Sequence, residues 1–228
     1  MKIILSSVLR GISAAHLEAW IEKSLRLILT IQNNTILNYG YSYSISDQGA
    51  MYFITCTVSN WVDVFTRSMY SEIVEDSLNY CIDKKSLTVF GYVIMSNHIH
   101  LLVQAKQNVL SDIIRDFKKF TSQRIISAIE HNESESRRRW LLWLFTKENA
   151  TDIKPVSYRF WRADNHAVEC LTLQFIWQKL NYIHDNPVRG EIVKKTEEYL
   201  KSSAADYFYG KQVGRIKIEM IDPLIVIV

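Results

Sequence analysis

At 228 residues the chain has room for one domain with an appendage, or two small domains. Its 48% hydrophobic content and mean hydropathy near zero exclude a disordered or fibrous protein. The 27 basic and 24 acidic residues leave a formal charge of +3, which permits a nucleic-acid partner without demanding one. Three separated cysteines (Cys56, Cys81, Cys170) form no CxxC pair, against a zinc ribbon or disulfide scaffold and in keeping with reduced thiols in a cytoplasmic protein.

In chain order, "MKIILSSVLRGISAA" is too interrupted by Ser6, Ser7 and Arg10 to form the apolar part of a signal peptide. No stretch reaches the roughly 18 apolar residues of a membrane span. Leu17, Trp20, Ile21, Leu25 and Ile28 recur at helical spacing, and "NYGYSYSISDQGA" follows as a loop or linker. Residues 1–44 are therefore expected to be an N-terminal appendage and linker, either a capping helix or an extension that contributes little.

From Met51 the pattern becomes regular. "MYFITCTVSNW" is β-branched and aromatic, a strand. "SMYSEIVEDSLNYCIDKK" places Ile73, Leu78 and Cys81 at helix-like spacing, with lysines at the end that the helix dipole favours. "LTVFGYVIM" and "HIHLLVQA" read as strands joined by a tight turn at Ser96-Asn97. "NVLSDIIRDFKKFTSQRIISAIEHN" is an amphipathic helix, capped by Asn108 or Ser111, with Leu110, Ile113, Ile114, Phe117, Phe120, Ile125 and Ile129 on its apolar face. Lys118 and Lys119 fall on the opposite, solvent-facing side.

A basic run, "SRRRW" at 136–140, is read as a helix end or loop with a core tryptophan, Trp140. A short strand is expected around Tyr158–Trp161, with Trp161 structural. A further helix starts at Thr172 and stops near Asn186, because Pro187 disfavours helical geometry in its predecessor. The domain is expected to span 45–210, with 211–228 as a tail. The order β-α-β-β-α-β predicts an α+β split βαβ (ferredoxin/RRM-like) sandwich. Its sheet is mostly antiparallel with helices on one face, plus a C-terminal helix that carries a tyrosine.

Two constellations carry chemistry. Residues i and i+2 of a strand point the same way, so His98 and His100 project together while Ile99 and Leu101 face the core. Alone, such a pair is either two surface histidines or two ligands of one divalent ion. His131, His166 and His184 have no spacing that marks a third ligand. In "QKLNYIHDNPVRGEIV", Tyr182 and Asn186 are four apart and share a helix face if the helix persists. Alone, the tyrosine is a packing residue and the asparagine a cap. With the histidines, they supply a nucleophile and an oxygen ligand for Mg2+ or Mn2+.

The segments "VIMSNHIHLLV", "LSDIIRDFKKFTS", "FWRADNH" and "YIHDNPVRGEIV", in this order, resemble the single-tyrosine HUH transposases and, within them, the REP-associated tyrosine transposase group. The resemblance spans roughly residues 45–210; the leading forty residues depart from it. It implies that His98, His100 and Asn186 hold Mg2+ or Mn2+, with the histidines and Tyr182 catalytic. Tyr182 would cleave and rejoin single-stranded DNA through a covalent 5′-phosphotyrosine, on a single-stranded or hairpin DNA partner, as a monomer or homodimer. Arg115, Lys118, Lys119, Arg124 and Arg162 are the candidate DNA contacts. The competing reading is a catalytically silent nucleic-acid-binding module that exposes sheet aromatics in RRM fashion. A zinc hydrolase is weakened by the lack of a third ligand.

Overall fold

A computed structural model describes residues 44–107, 109–146 and 158–222; the helix expected before residue 44 lies outside them. The described elements run β1 (Tyr52–Thr57), α1 (Ser68–Lys85), β2 (Leu87–Ile94), β3 (His98–Ala105), α2 (Leu110–His131), α3 (Arg138–Phe145), β4 (Val168–Glu169), α4 (Leu173–Arg189) and α5 (Ala204–Tyr209). Two 3-10 turns, Ser59–Trp61 and Thr196–Glu198, join them. The strands form one sheet in the order β2-β3-β1-β4, with every pairing antiparallel. This is the expected α+β split βαβ architecture.

Alternation along β3 divides the two cores. Ile99, Leu101, Val103 and Ala105 join the larger core, under α1 and α2, whereas Leu102 faces the smaller core, under α4. His98 and His100 share the parity of Leu102, and so the α4 side. In β1, Phe53 lies in that smaller core between Tyr52 and Ile54 of the larger one. A register irregularity in β2 between Val89 and Gly91 lets the chain switch faces near its middle. There Gly91 has a packing role: a Cβ would come within 2.5 Å of Leu180 Cδ1 on α4.

Several details differ from expectation. The fourth strand is Val168–Glu169 rather than 158–161, where Tyr158 and Trp161 make only isolated bridges to Thr146 and Val58. Trp161 is structural as expected, since its buried indole donates to Thr121 Oγ1 at 2.9 Å. Phe120 is 53% exposed, because the apolar stripe of α2 passes instead through Thr121, Ile125 and Ile126. Lys118 is not a free surface cation: its ammonium reaches the carbonyl of Arg162 at 2.7 Å and Oδ1 of Asn165. Trp140 is exposed on α3, whose buried side is Leu141 and Phe145. Ser111 does not cap α2; its own N–H is capped by Oε1 of Gln48 at 2.8 Å.

Helix α4 begins where expected, with the Thr172 hydroxyl accepting from the Phe175 N–H at 3.2 Å. It does not stop at Asn186. Pro187 removes one amide, but its ring is buried, and the Gly190 and Ile192 N–H groups bond the Asn186 and Pro187 carbonyls at 2.9 Å. Residues 211–222 lie against the domain: Ile216 is buried, and the Glu219 N–H pairs with the Val89 carbonyl. Among the described residues no helix is long and apolar enough to cross a membrane.

Candidate active site

Helix α4 carries two stripes, one residue out of phase. Ile176, Leu180, Ile183 and Pro187 are buried. Beside them run Phe175, Lys179, Tyr182, Asn186 and Arg189, at steps of three or four. Burial of the first stripe on Phe53, Phe90 and Leu102 fixes the second over the histidine end of β3.

There the rings converge. The imidazoles of His98 and His100 are 4.7 Å apart between centroids, and Tyr182 lies 5.3 Å from His100. Phe53 stacks on His100 at 5.2 Å and meets Tyr182 edge-on at 5.8 Å. The ammonium of Lys179 sits 4.8 Å over Phe53 and 5.9 Å over Tyr182, while the Arg189 guanidinium is 5.4 Å from Tyr182. Tyr182 thus lies between two cations.

The histidines are oriented from behind. Asn97 Nδ2 donates to the Trp61 carbonyl at 3.2 Å and to Asp63 Oδ1 at 3.1 Å, so its Oδ1 is the acceptor facing His98 Nδ1 at 2.7 Å. This network assigns the proton to Nδ1 and leaves the Nε2 lone pair of His98 for a ligand. The Thr55 hydroxyl engages His100 Nδ1 at 2.8 Å, leaving Nε2 of that ring as well. Burial lowers the His98 pKa, and a side-chain contact with Asn186 recovers part of the drop. Burial, then the charges of His98 and Lys179, lowers His100 to about 3. Both rings are neutral near pH 7, the form that binds metal.

Among the described residues no group of three or more His, Cys, Asp or Glu converges as a metal site. The donor set that fits a divalent ion is mixed: two imidazoles with their second nitrogens engaged, and the Asn186 carboxamide in contact with one of them. Among the described residues, the other histidines lie elsewhere. His131 bonds the Ser127 carbonyl, His166 pairs with Asp164, and His184 bonds Ser203.

The candidate DNA contacts are not brought into this cluster. Arg115, Lys118, Lys119 and Arg124 sit on α2, which packs under the other sheet face. Arg115 is paired with Asp112 and Asp116. Arg162 alone approaches, its guanidinium 5.9 Å over Trp61, whose indole meets His98 edge-on at 6.4 Å. Sequence reasoning passed over Lys179, Arg189, Asn97 and Thr55. The first two were readable as the neighbours of Tyr182 at −3 and +7 on one helix stripe; Thr55 depends on a cross-strand register that no local pattern reveals. Both sheet faces are covered, leaving Tyr52, Phe53 and Phe90 buried, so the RRM-like platform has no open surface.

The family model described as "Transposase IS200 like" matches residues 47–145, from just before β1 to the end of α3. The match takes in 99 of the 228 residues. The matched segment contains both histidines, whereas Tyr182 and Asn186 lie beyond it. The fold is similar to that of a REP-associated tyrosine transposase bound to a REP hairpin, at 14% identity and TM-score 0.53, over 82% of this chain and 94% of that chain. A candidate transposase from Deinococcus radiodurans R1 is 17% identical at TM-score 0.39, covering 66% of this chain and 97% of that chain. No curated protein matches the chain in sequence.

Proposed function

We propose that this protein is a metal-dependent DNA transposase that cleaves and rejoins single-stranded DNA through a 5′-phosphotyrosine at Tyr182, at a hairpin element. The observation that carries the reading is the docking of α4: Tyr182 stands 5.3 Å from His100, and Asn186, one turn on, touches His98. The REP-hairpin complex of the similar structure supports the choice of DNA partner.

His98 Nε2, His100 Nε2 and the Asn186 carboxamide would hold Mg2+ or Mn2+. Such an ion supplies Lewis-acid polarisation of a phosphate oxygen. The rest falls to the chain itself. Asn97 holds the His98 imidazole in the required tautomer, and Thr55 holds the orientation of the His100 ring. Lys179 and Arg189 lie near the phenol, where their positive charge attracts a phosphate. The Tyr182 oxygen bonds to phosphorus, the bond to the 3′ oxygen breaks, and that oxygen takes up a proton as the phenol loses one. One phosphodiester replaces another, so reversal by a different 3′-hydroxyl rejoins strands without an energy source.

The decisive experiment compares wild type with Tyr182→Phe on a labelled single-stranded oligonucleotide carrying the hairpin that flanks the gene, with Mg2+ or Mn2+, on a denaturing gel. A packing tyrosine would lose only about 0.5–1.5 kcal/mol with its hydroxyl. Instead the covalent adduct should vanish while folding and hairpin binding persist, and no metal should restore it. His98→Ala should also abolish cleavage, with partial recovery in excess Mn2+. An adduct formed by Tyr182→Phe would remove Tyr182 as the nucleophile.

A further inference from the structure

Trp61 is 56% exposed at the edge of the His98 ring, yet its backbone is built at a cost. Asn60 and Trp61 adopt φ of 58° and 55°, a left-handed conformation that side chains with a Cβ rarely take, here at two consecutive residues. Three hydrogen bonds hold them there. Asn60 Nδ2 donates to the Leu144 carbonyl at 3.0 Å, the Trp61 N–H to the Val58 carbonyl at 3.1 Å, and Asn97 Nδ2 to the Trp61 carbonyl at 3.2 Å. Asn97 is also the partner of His98, so one side chain sets the imidazole and the indole together.

An indole held out in water with strained backbone gains little for the core. Its neighbours indicate what it meets. Arg162 lies over the ring at 5.9 Å; Asp164 occupies its Nε at 3.3 Å, and a guanidinium has five N–H donors. Past Arg162 opens a groove of about 570 Å³ bordered by the cations Arg115, Lys119 and Arg159. A flat π surface followed by a line of cations complements a nucleotide strand, base on the indole and phosphate on the guanidinium. Paired bases in a duplex hide their faces, so the complementary form is an unpaired base.

We propose that Trp61 and Arg162 form a nucleotide seat beside the His98–Tyr182 cluster. An unpaired base next to the scissile phosphate stacks on the indole, its phosphate meets Arg162, and the strand continues into the basic groove. The inference rests on the transposase reading for what lies next door, but binding tests it separately from cleavage.

The probe is a fifteen-residue dT oligonucleotide with one central 2-aminopurine, alone or annealed to its complement, titrated with full-length Tyr182→Phe protein so that no strand is cut. Trp61→Gly is the informative second substitution, because glycine takes φ of 55° without strain and so removes the indole without threatening the loop. Single-strand affinity should fall about tenfold or more, with loss of 2-aminopurine quenching. Duplex affinity and the melting temperature should hold, and Trp61→Phe should keep most of the binding. Arg162→Met should weaken binding and flatten its salt dependence. Unchanged single-strand affinity and quenching in Trp61→Gly would overturn the seat, as would an equal loss on duplex. If the seat behaves as described but protein with Tyr182 intact forms no adduct, the covalent reading fails and the seat stands.

Discussion

The two faces of the sheet are covered by helices of similar make and opposite consequence. Under α1 and α2, Ile54, Ile99, Leu101 and Val103 meet Val74, Leu78, Ile114 and Phe117 in a broad apolar layer. Under α4 the layer is narrower, built on Phe53, Phe90, Leu102, Ile176, Leu180 and Ile183. Its margin holds two imidazoles, a phenol, a carboxamide and two cations. A buried polar group costs free energy unless it is hydrogen-bonded, and such costs are met most easily where apolar cover thins and partners converge. The larger core makes the domain stable; the edge of the smaller one gathers the polar side chains of the candidate site.

The largest expected effect separates these roles. Phe117 is 2% exposed and packs 6.4 Å from Trp161, so Phe117→Ala should cost about 3–5 kcal/mol in urea unfolding. Whatever fraction remains folded should form the DNA adduct at the wild-type rate. A large adduct defect in folded protein would mean that the two faces are coupled.

Lys118 tests the boundary between them. Burial lowers its pKa, and its ammonium ties α2 to the segment 162–165. Lys118→Met should therefore cost about 1.5–3 kcal/mol, the range for hydrogen bonds to a charged group. The exposed neighbour Lys119 should be within about 0.5 kcal/mol of wild type when changed to Ala. If the groove is a DNA surface, Lys119→Ala lowers the salt slope of binding by about one. Equal stability loss from the two would remove the assignment of Lys118 as a structural tie.

On the α4 side, Gly91→Ala is the corresponding probe. The added Cβ would lie 2.5 Å from Leu180 Cδ1, and Leu180, 1% exposed, has little space to yield. A loss of about 1–3 kcal/mol is expected. Because Leu180 sits two residues from Tyr182, the adduct rate should drop more than stability alone explains. A variant with normal stability and rate would show that α4 is not clamped at this point.

Much of this was legible in the residues because both kinds of period are local. Alternation in "HIHLLVQA" put two imidazoles on one face, and the step of four put Asn186 over Tyr182. What local pattern could not give was the partner of each stripe. Lys118 reads as an exposed cation until the 162–165 loop returns to it, and Phe120 reads as core until the helix is rotated against the sheet. The strand expected at Tyr158–Trp161 had the right composition, but its edges are taken by single bridges to Thr146 and Val58, and the sheet instead accepts Val168–Glu169. Pro187 was given a stop that tertiary burial overrode.

The smallest expected effect is a difference in the order in which acid loosens the two faces. On the α4 side, burial lowers His184 to about 4, beside Ser203 and Tyr207. Its folded pKa lies below the ordinary histidine value of 6.5, so the unfolded chain takes the proton first; the stabilisation is complete above pH 6.5 and is lost as pH falls toward 4. On the α1–α2 side, burial raises the Glu135 pKa, but hydrogen bonds from the Arg137 side chain and backbone, with the charges of Arg137 and Arg67, bring it below its usual 4.5. That contribution is intact above pH 4.5 and disappears only below it. Urea midpoints between pH 7.5 and pH 3.5 should therefore fall in two stages. His184→Gln should make the stage above about pH 4.5 shallower, leaving the share of His98 and His100, and Glu135→Gln should flatten the stage below it. Parallel pH profiles for wild type and His184→Gln would remove His184 from the acid response of the α4 side and leave any early stage to His98 and His100.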